Sequence, residues 1–358
     1  MDWIGESIAE AIREAGEAVG LDVVTREDRE DAVKKLSLRA SSQLSLASVL
    51  KLSEECGAQR AIYGQFELLP GDPQKTNSKG SLRITARVFD LKRIAQAGEN
   101  QAVGAIEDLP ILEIDLAWQI LRQLAGPLKV AQEDLLKQHR KVKLSALENY
   151  TRGLMSTSKW LQHRYFTQAT RLDPAFPHPY FHLGRMQWWE ERYREAATWL
   201  EKVPEDFSYN VEASFMLALS RYELSEYEAA RRALEKIEPK LPVPEIWNNL
   251  AAMNTRLNRL EPALQLFRRA LQADPTDADY QFNVGYTLWK MRDYANAADS
   301  FRAVLDRSPD DQDAILLLGR CLSSAGPRPG DLRGEGLERL KDTYTEPAKP
   351  ADSSATLR

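Results

Sequence analysis

The chain has 358 residues, of which 43% are apolar and 28% charged, and a formal net charge of −5. This is enough apolar material for two domains or one long array, and the acidic balance argues against general electrostatic nucleic-acid binding. Two cysteines, Cys56 and Cys321, make no CxxC pair, zinc knuckle or disulfide framework. No run of eighteen apolar residues marks a transmembrane helix. The opening Met1-Asp2-Trp3-Ile4-Gly5-Glu6 lacks the basic start and apolar core of a signal peptide.

Ile4, Ile8, Ala11, Ile12 and Ala15 recur at helical spacing, so an amphipathic helix is expected over 2–18, closed by Gly20. LDVVT (21–25) reads as a short strand, 26–36 and 45–57 as helices, and 61–70 as an apolar strand. GDPQKTNSKG (71–80) is a turn-rich loop. Residues 81–91 alternate, with Leu82, Ile84, Ala86 and Val88 facing one way and Arg83, Thr85 and Arg87 the other. A strand near 95–105 and a helix at 111–124 complete a small α+β domain over 1–128. That domain holds 15 Lys/Arg against 20 Asp/Glu and so carries the whole net charge. Residues 129–143 form a locally basic linker helix; with no aromatics interleaved for base stacking, it reads as a solvated face.

From residue 144 a period of 34 appears. It carries Ala263 to Ala297, Phe267 to Phe301, Ala270 to Val304, Pro275 to Pro309 and Gly285 to Gly319; upstream it carries Leu183-Gly184 to Leu217-Ala218 and Ala196 to Ala230. The small residues Gly184, Ala218, Ala251, Gly285 and Gly319 mark places where two helices approach closely. Phe166, Leu200, Leu234, Phe267 and Phe301 fill the gaps between neighbouring units, and Pro174, Pro275 and Pro309 stop helices. This pattern resembles the tetratricopeptide repeat, two antiparallel helices per 34 residues. The units fall at 144–176, 177–210, 211–243, 244–277 and 278–311, followed by a degenerate sixth with its first helix at 312–325. GPRPG (326–330) breaks the pattern. DLRGEGLERLKDTY (331–344) reads as a closing helix with Leu337, Leu340 and Tyr344 inward. The array thus spans 144–345 and leaves a disordered tail at 346–358. The expected fold is mainly α, an α-α superhelical solenoid preceded by a small α+β domain.

The N-terminal third resembles the TolB-like domain that precedes such repeats in bacterial envelope and signalling proteins, on DWIGESIAEAI, GAQRAIYGQFELL and SLRITARVFDLKRIAQAGE. Such domains usually open with an apolar strand before the DWIGE helix, so a missing first strand is expected here. The compartment then reads as cytoplasmic from the sequence as given, or periplasmic and envelope-associated if an export signal lies upstream.

Motifs for chemistry are scarce. His178 and His182 are spaced i, i+4, but no glutamate follows His178 as in HExxH, so a plain helix face is expected rather than a metal site. Carboxylate clusters such as REDREDA sit at helix starts, where they favour the macrodipole. There is no Walker loop, GxGxxG or GxSxG, and no cofactor, metal or catalytic residue is expected. What remains is a surface. The resemblance implies that first helices line a concave groove, which would be formed by His178, Phe181, Arg185, Trp188 and Trp189, then Phe215 and Tyr222, then Asn248, Asn249, Thr255 and Arg256, then Phe282, Asn283, Tyr286 and Trp289, and finally Arg320. The Lys/Asn set of carboxylate-clamp repeats is not matched, so chaperone-tail binding is not expected. Aromatics with scattered Arg are the usual anchors of interfaces. The expected function is therefore a non-enzymatic scaffold, with the groove holding an extended or helical peptide of a protein partner; monomer is the favoured state. Phe282 and Trp289 are the best anchor pair if the groove is the working surface; the alternative reading of these aromatics is interhelical core. The alternative is a regulatory or sensory arm of an envelope or signalling assembly that binds a small ligand or glycan.

Overall fold

The computed structural model describes residues 2–38, 44–70, 81–125, 142–328, 330–331 and 333–345. The expected loop at 71–80, nearly all of the linker helix at 129–143 and the tail at 346–358 lie outside the described residues. The chain divides into two compact units, 1–179 and 180–358.

In the first unit, α1 (Trp3–Ala18) buries Trp3, Ile4 and Ile8. Helices α2 (Arg26–Lys35) and α3 (Leu46–Glu55) start at caps the sequence supplies: Thr25 Oγ1 accepts from the Asp28 N–H and Ser45 Oγ from the Ser48 N–H. Three strands, β1 (Arg60–Leu69), β2 (Ser81–Asp90) and β3 (Ala95–Ala105), make an antiparallel meander in that order. Its register runs from Arg60↔Asp90 to Leu69↔Ser81 on one side of β2, and from Ser81↔Ala105 to Asp90↔Ala95 on the other, with a bulge at Val88/Phe89. The alternation in β2 holds for Leu82, Ile84, Ala86 and Val88, all buried, while Thr85 on the other face is also buried. Helix α4 (Leu109–Ala125) packs on β3, and α1 packs on α4 and on α5 (Leu144–Met155). Helix α6 (Lys159–Leu172) folds back on α5.

The strand expected at 21–25 does not form. Its apolar residues are spent on helices: Leu21 packs on Ala15, Ala117 and Leu121, and Val23 lies against Gly16 of α1. Five residues with no strand partner leave no ladder to satisfy their backbone.

Helix α7 (His178–Trp189) begins two residues before the division, and the second unit continues with α8 (Tyr193–Leu200), α9 (Asn210–Glu223), α10 (Tyr227–Ile237), α11 (Pro244–Arg256), α12 (Leu260–Ala273), α13 (Ala278–Lys290), α14 (Tyr294–Leu305) and α15 (Gln312–Leu322). Each turn between the helices of a pair closes the same way. Glu191, Ser225, Asn258 and Arg292 take positive φ of 57 to 66°. The next N–H reaches back five residues: Arg192 to the Gln187 carbonyl, Glu226 to Arg221, Arg259 to Asn254 and Asp293 to Leu288. These are Schellman closures built without glycine.

The close approaches fall where the period puts them, with one exception. A Cβ on Gly184 would meet Leu200, and one on Gly285 would lie 2.9 Å from Ser300 Cβ and 3.1 Å from Phe301. A Cβ on Gly319 would meet nothing within 4 Å, because among the described residues no second helix follows α15 to pair with it.

The segment read as a closing helix is not one. Residues 333–345 run without helix across the first helices of the unit, as a strap. Leu337 and Leu340 still pack on the core and Tyr344 still points inward, but the backbone is not helical, and its paired bonds at residues 339 and 341 follow the two-residue period of an extended chain. Gly336 sits at φ +78°, a conformation that interrupts a helix, and side chains of α11 and α13 supply the hydrogen bonds that helical carbonyls would otherwise have supplied.

Candidate functional site

The floor of the cleft beneath the strap is three asparagines. Asn248 and Asn249 stand on α11 and Asn283 on α13, all fully buried. The Asn283 Nδ2 donates to the Arg339 carbonyl and its Oδ1 accepts from the Arg339 N–H, both at 2.8 Å. Asn249 repeats this two residues on: Nδ2 donates to the Lys341 carbonyl at 2.7 Å and Oδ1 accepts from the Lys341 N–H at 2.8 Å. Asn248 joins the two pairs, donating to the Arg339 carbonyl at 2.8 Å and to Asn249 Oδ1 at 3.2 Å, and accepting from Asn283 at 2.8 Å. A side-chain amide offers a donor and an acceptor side by side, as a strand edge does, so this floor imitates a neighbouring strand for two alternate residues. Tyr286 extends the grip, its hydroxyl donating to the Gly334 carbonyl at 3.0 Å and accepting from the Gly336 N–H at 3.2 Å. At the other end the Thr345 N–H donates to Glu245 at 3.1 Å.

The side chains of the strap are read separately. The Arg339 guanidinium lies 3.7 Å over the Phe282 ring and pairs with Asp279 at 3.3 Å and Asp311 at 2.7 Å. Lys341 pairs with Asp277 at 2.8 Å and Asp279 at 2.7 Å. Asp277 and Asp311 are also the N-caps of α13 and α15, so helix starts and strap share the same carboxylates. Burial pushes the Asp279 carboxyl up, but the Lys341 and Arg339 cations outweigh it and hold it below its usual range. The Tyr344 ring meets Phe215 edge-on at 5.0 Å.

Glu338 goes inward. Its side chain is fully buried, 3.5 Å from the Arg256 Nε and 3.5 Å from the Tyr222 hydroxyl. Burial raises its carboxyl above the ordinary value, with Arg256 and Lys290 pulling the other way. Lys290 is itself lowered by burial, which the Glu338 charge partly offsets.

Of the residues expected to line the groove, Phe215, Tyr222, Asn248, Asn249, Arg256, Phe282, Asn283 and Tyr286 meet the strap directly. Trp289 lies under it as well, its Nε1 donating to the Ala325 carbonyl at 2.8 Å with Arg320 over its ring. Arg320 pairs with Asp331 at 2.7 Å. Thr255 bonds its own helix, donating to the Ala251 carbonyl. His178 is elsewhere, in the first unit, with its Nε2 2.9 Å from Glu14 and its ring against Tyr150 and Phe176. Phe181 is buried, stacked on Tyr209 with Arg185 over it. Trp188 is half-buried beside an exposed Trp189. Phe282 and Trp289 are fully buried rather than exposed, because the strap covers what would be open in an empty groove. Lys290, Asp277, Asp279 and Glu245 were not singled out from the sequence; only their shared contact with a distant segment marks them. Among the described residues no group of three or more His, Cys, Asp or Glu could hold a metal ion, and no helix is long and apolar enough to cross a membrane.

Helix pairs on a 34-residue period, with a small residue at one contact and a Phe or Leu at the next, make the fold a tetratricopeptide-like solenoid, with a small α+β region earlier in the chain. The family model described as "Tetratricopeptide repeat" matches residues 215–278 and 284–326. Among curated proteins, the chain is similar to the cell division cycle protein 16 homolog of Homo sapiens, 27% identical over 170 residues, which is 48% of this chain and 23% of that protein. It is also similar to the peroxisomal targeting signal receptor of Pichia angusta, 28% identical over 45% of this chain and 30% of that one, and to Hsp70-Hsp90 organizing protein 2 of Arabidopsis thaliana, 26% identical over 31% and 20%. The chain thus spans about a quarter of the length of the curated relatives it matches. Among solved structures it is similar to MamA from Desulfovibrio magneticus RS-1, 20% identical with a TM-score of 0.41, covering 47% of this chain and 95% of that one. A second is YrrB, described as a TPR protein with an unusual peptide-binding site, 20% identical with a TM-score of 0.39, covering 44% and 82%.

Proposed function

We propose that the chain is a non-enzymatic protein-interaction scaffold whose second unit holds an extended peptide of a partner along α11 and α13. One observation carries this reading: two asparagine carboxamides each pair with both the N–H and the carbonyl of one residue in an extended segment, two residues apart. That is a grip on backbone, and main-chain bonding with side-chain pockets is how extended peptides are bound in general. The repeat match to a targeting signal receptor and to an Hsp70-Hsp90 organizing protein supports a role in binding other proteins. The three-stranded meander with α1 and α4 behind it supports the TolB-like reading of the N-terminal region, which would make that region a second docking module.

The test uses the full chain with the strap loosened by Leu337→Ser and Leu340→Ser, and a fluorescent peptide with the sequence of residues 333–345. Anisotropy should show saturable binding. Adding Asn249→Ala and Asn283→Ala should weaken it at least tenfold, since each removes a paired donor and acceptor. A loosened chain that binds no peptide, or binds it equally well without the asparagines, refutes the reading.

A further inference from the structure

The cleft does more than hold a backbone. Resting on the peptide-holding reading above, we propose that residues 334–345 are an intramolecular stand-in for a partner segment of the form apolar-acidic-basic-apolar-basic, and that Arg256, Lys290 and Tyr222 form a pocket that reads the acidic side chain. In the strap this sequence is Leu337-Glu338-Arg339-Leu340-Lys341.

Three observations point the same way. The first is charge. Arg256 from α11 lies 3.5 Å from Glu338, with the Tyr222 hydroxyl from α9 at the same carboxylate; Lys290 from α13, held by the Thr255 carbonyl at 3.4 Å and over the Tyr286 ring, brings a second cation whose electrostatics couple it to Glu338 and Glu335. Lift the strap and two cations remain in a half-enclosed site whose counter-charges, Glu338 and Glu335, have both left. Such a site favours an acidic side chain over a neutral or basic one. The second is the rim. Asp277, Asp279 and Asp311 lie where Arg339 and Lys341 arrive, so acid is read inside the cleft and base at its edge.

The third is the nature of the floor. A permanent cap is best held over apolar residues, because polar groups buried beneath it must all find partners. Here the covered floor sets three asparagines, a tyrosine hydroxyl and an arginine among the Phe282 and Trp289 rings. These polar groups take water in place of the strap when it leaves, which lowers the cost of the open cleft, and the uncovered rings then add apolar contact for a partner segment. The strap is joined to α15 by a short connection through Pro327 and Gly330, and competes at high effective concentration. A tether giving ~1 mM against an intrinsic Kd of ~10 μM would weaken a partner's apparent affinity about 100-fold.

The experiment uses full-length protein throughout. Two fluorescent peptides carry the sequence of residues 333–345, one as it stands and one with lysine at the Glu338 position. Each is titrated into the wild-type chain, the Leu337→Ser/Leu340→Ser chain, and that loosened chain with Arg256→Glu. Hydrogen exchange at the Arg339 and Lys341 amides of the wild-type chain is followed as unlabelled peptide is added. The unchanged peptide should bind the loosened chain at least tenfold tighter than wild type. It should bind the loosened chain at least tenfold tighter than the lysine peptide does, and Arg256→Glu should reverse that preference. Saturating peptide should strip exchange protection from the chain's own strap. If both peptides bind equally, acid reading is wrong while the backbone grip stands. If loosening the strap leaves affinity unchanged, the strap does not compete. If no peptide binds any chain, the peptide-holding reading itself falls.

Discussion

Glu113 of α4 is a buried carboxyl in the first unit, and it predicts an unusual pH response. Its side chain is fully buried near Ser7 and Glu14 of α1. Burial pushes its carboxyl from an ordinary 4.5 up to about 8; the Ser7 hydroxyl opposes this and the Glu14 charge adds to it. The folded state therefore holds the proton more tightly than the unfolded chain. The stabilisation is complete below the unfolded value and is lost as pH rises through the folded one. From 4.5 to about 8, at about 1.4 kcal/mol per pH unit, the loss is roughly 4–5 kcal/mol once pH exceeds 8, and most of it has occurred by pH 7. Glu113→Gln keeps the shape and removes the charge. It should stabilise the first unit by about 2–4 kcal/mol at pH 8 and leave it unchanged at pH 4.5. The assay is native-state hydrogen exchange of β2 amides, which reports that unit alone, across pH 4.5–8.5 after correction for intrinsic rates. Parallel stability profiles for the two proteins, or a destabilised variant at pH 8, would refute the reasoning.

The remaining predictions concern the second unit. Phe282→Ala and Trp289→Ala should each destabilise it by about 3–5 kcal/mol in urea unfolding, as fully buried aromatics do; a loss below about 1 kcal/mol would mean that the strap does not cover them. Gly285→Leu should lower the melting temperature through overpacking of roughly 1–3 kcal/mol or more, since even a Cβ there lies 2.9 Å from Ser300, whereas Gly319→Ala, with open space around it, should not. Ser225→Gly and Arg292→Gly should each raise stability by up to about 1 kcal/mol by relieving a left-handed backbone, measured as a shift in urea midpoint; a drop would show that those side chains hold the turn.

The repeats were legible because their signal is local and recurs. Phe267 and Phe301, or Ala263 and Ala297, can be aligned without knowing what they touch. The turns at Ser225 and Arg292 were not, because serine and arginine carry no signature for a left-handed closure that the helix ends impose. Asn249 and Asn283 stood out in the sequence, yet as residues lacking the lysines of a known clamp. Their meaning depends on a segment 56 to 92 residues away, and no period links the two. The strap itself was misread because Leu337, Leu340 and Tyr344 recur at helical spacing. Gly334 and Gly336 argue against a helix there, and the decisive term was tertiary, since the asparagines outside the segment satisfy its backbone. Of the two readings open for Phe282 and Trp289, exposed anchor or core, the structure takes the buried one for the same reason.

The asparagine pairs touch residues 339 and 341 and pass over 340. Because an extended chain repeats every two residues, the floor acts as a ruler with a two-residue mark. A bound segment shifted by one residue would turn every side chain to the opposite wall, sending its acid to the aspartates and its bases to Arg256. A shift of two restores the backbone bonds and alters only which side chains meet which pockets. A polypeptide held on these amides therefore has its allowed registers two residues apart.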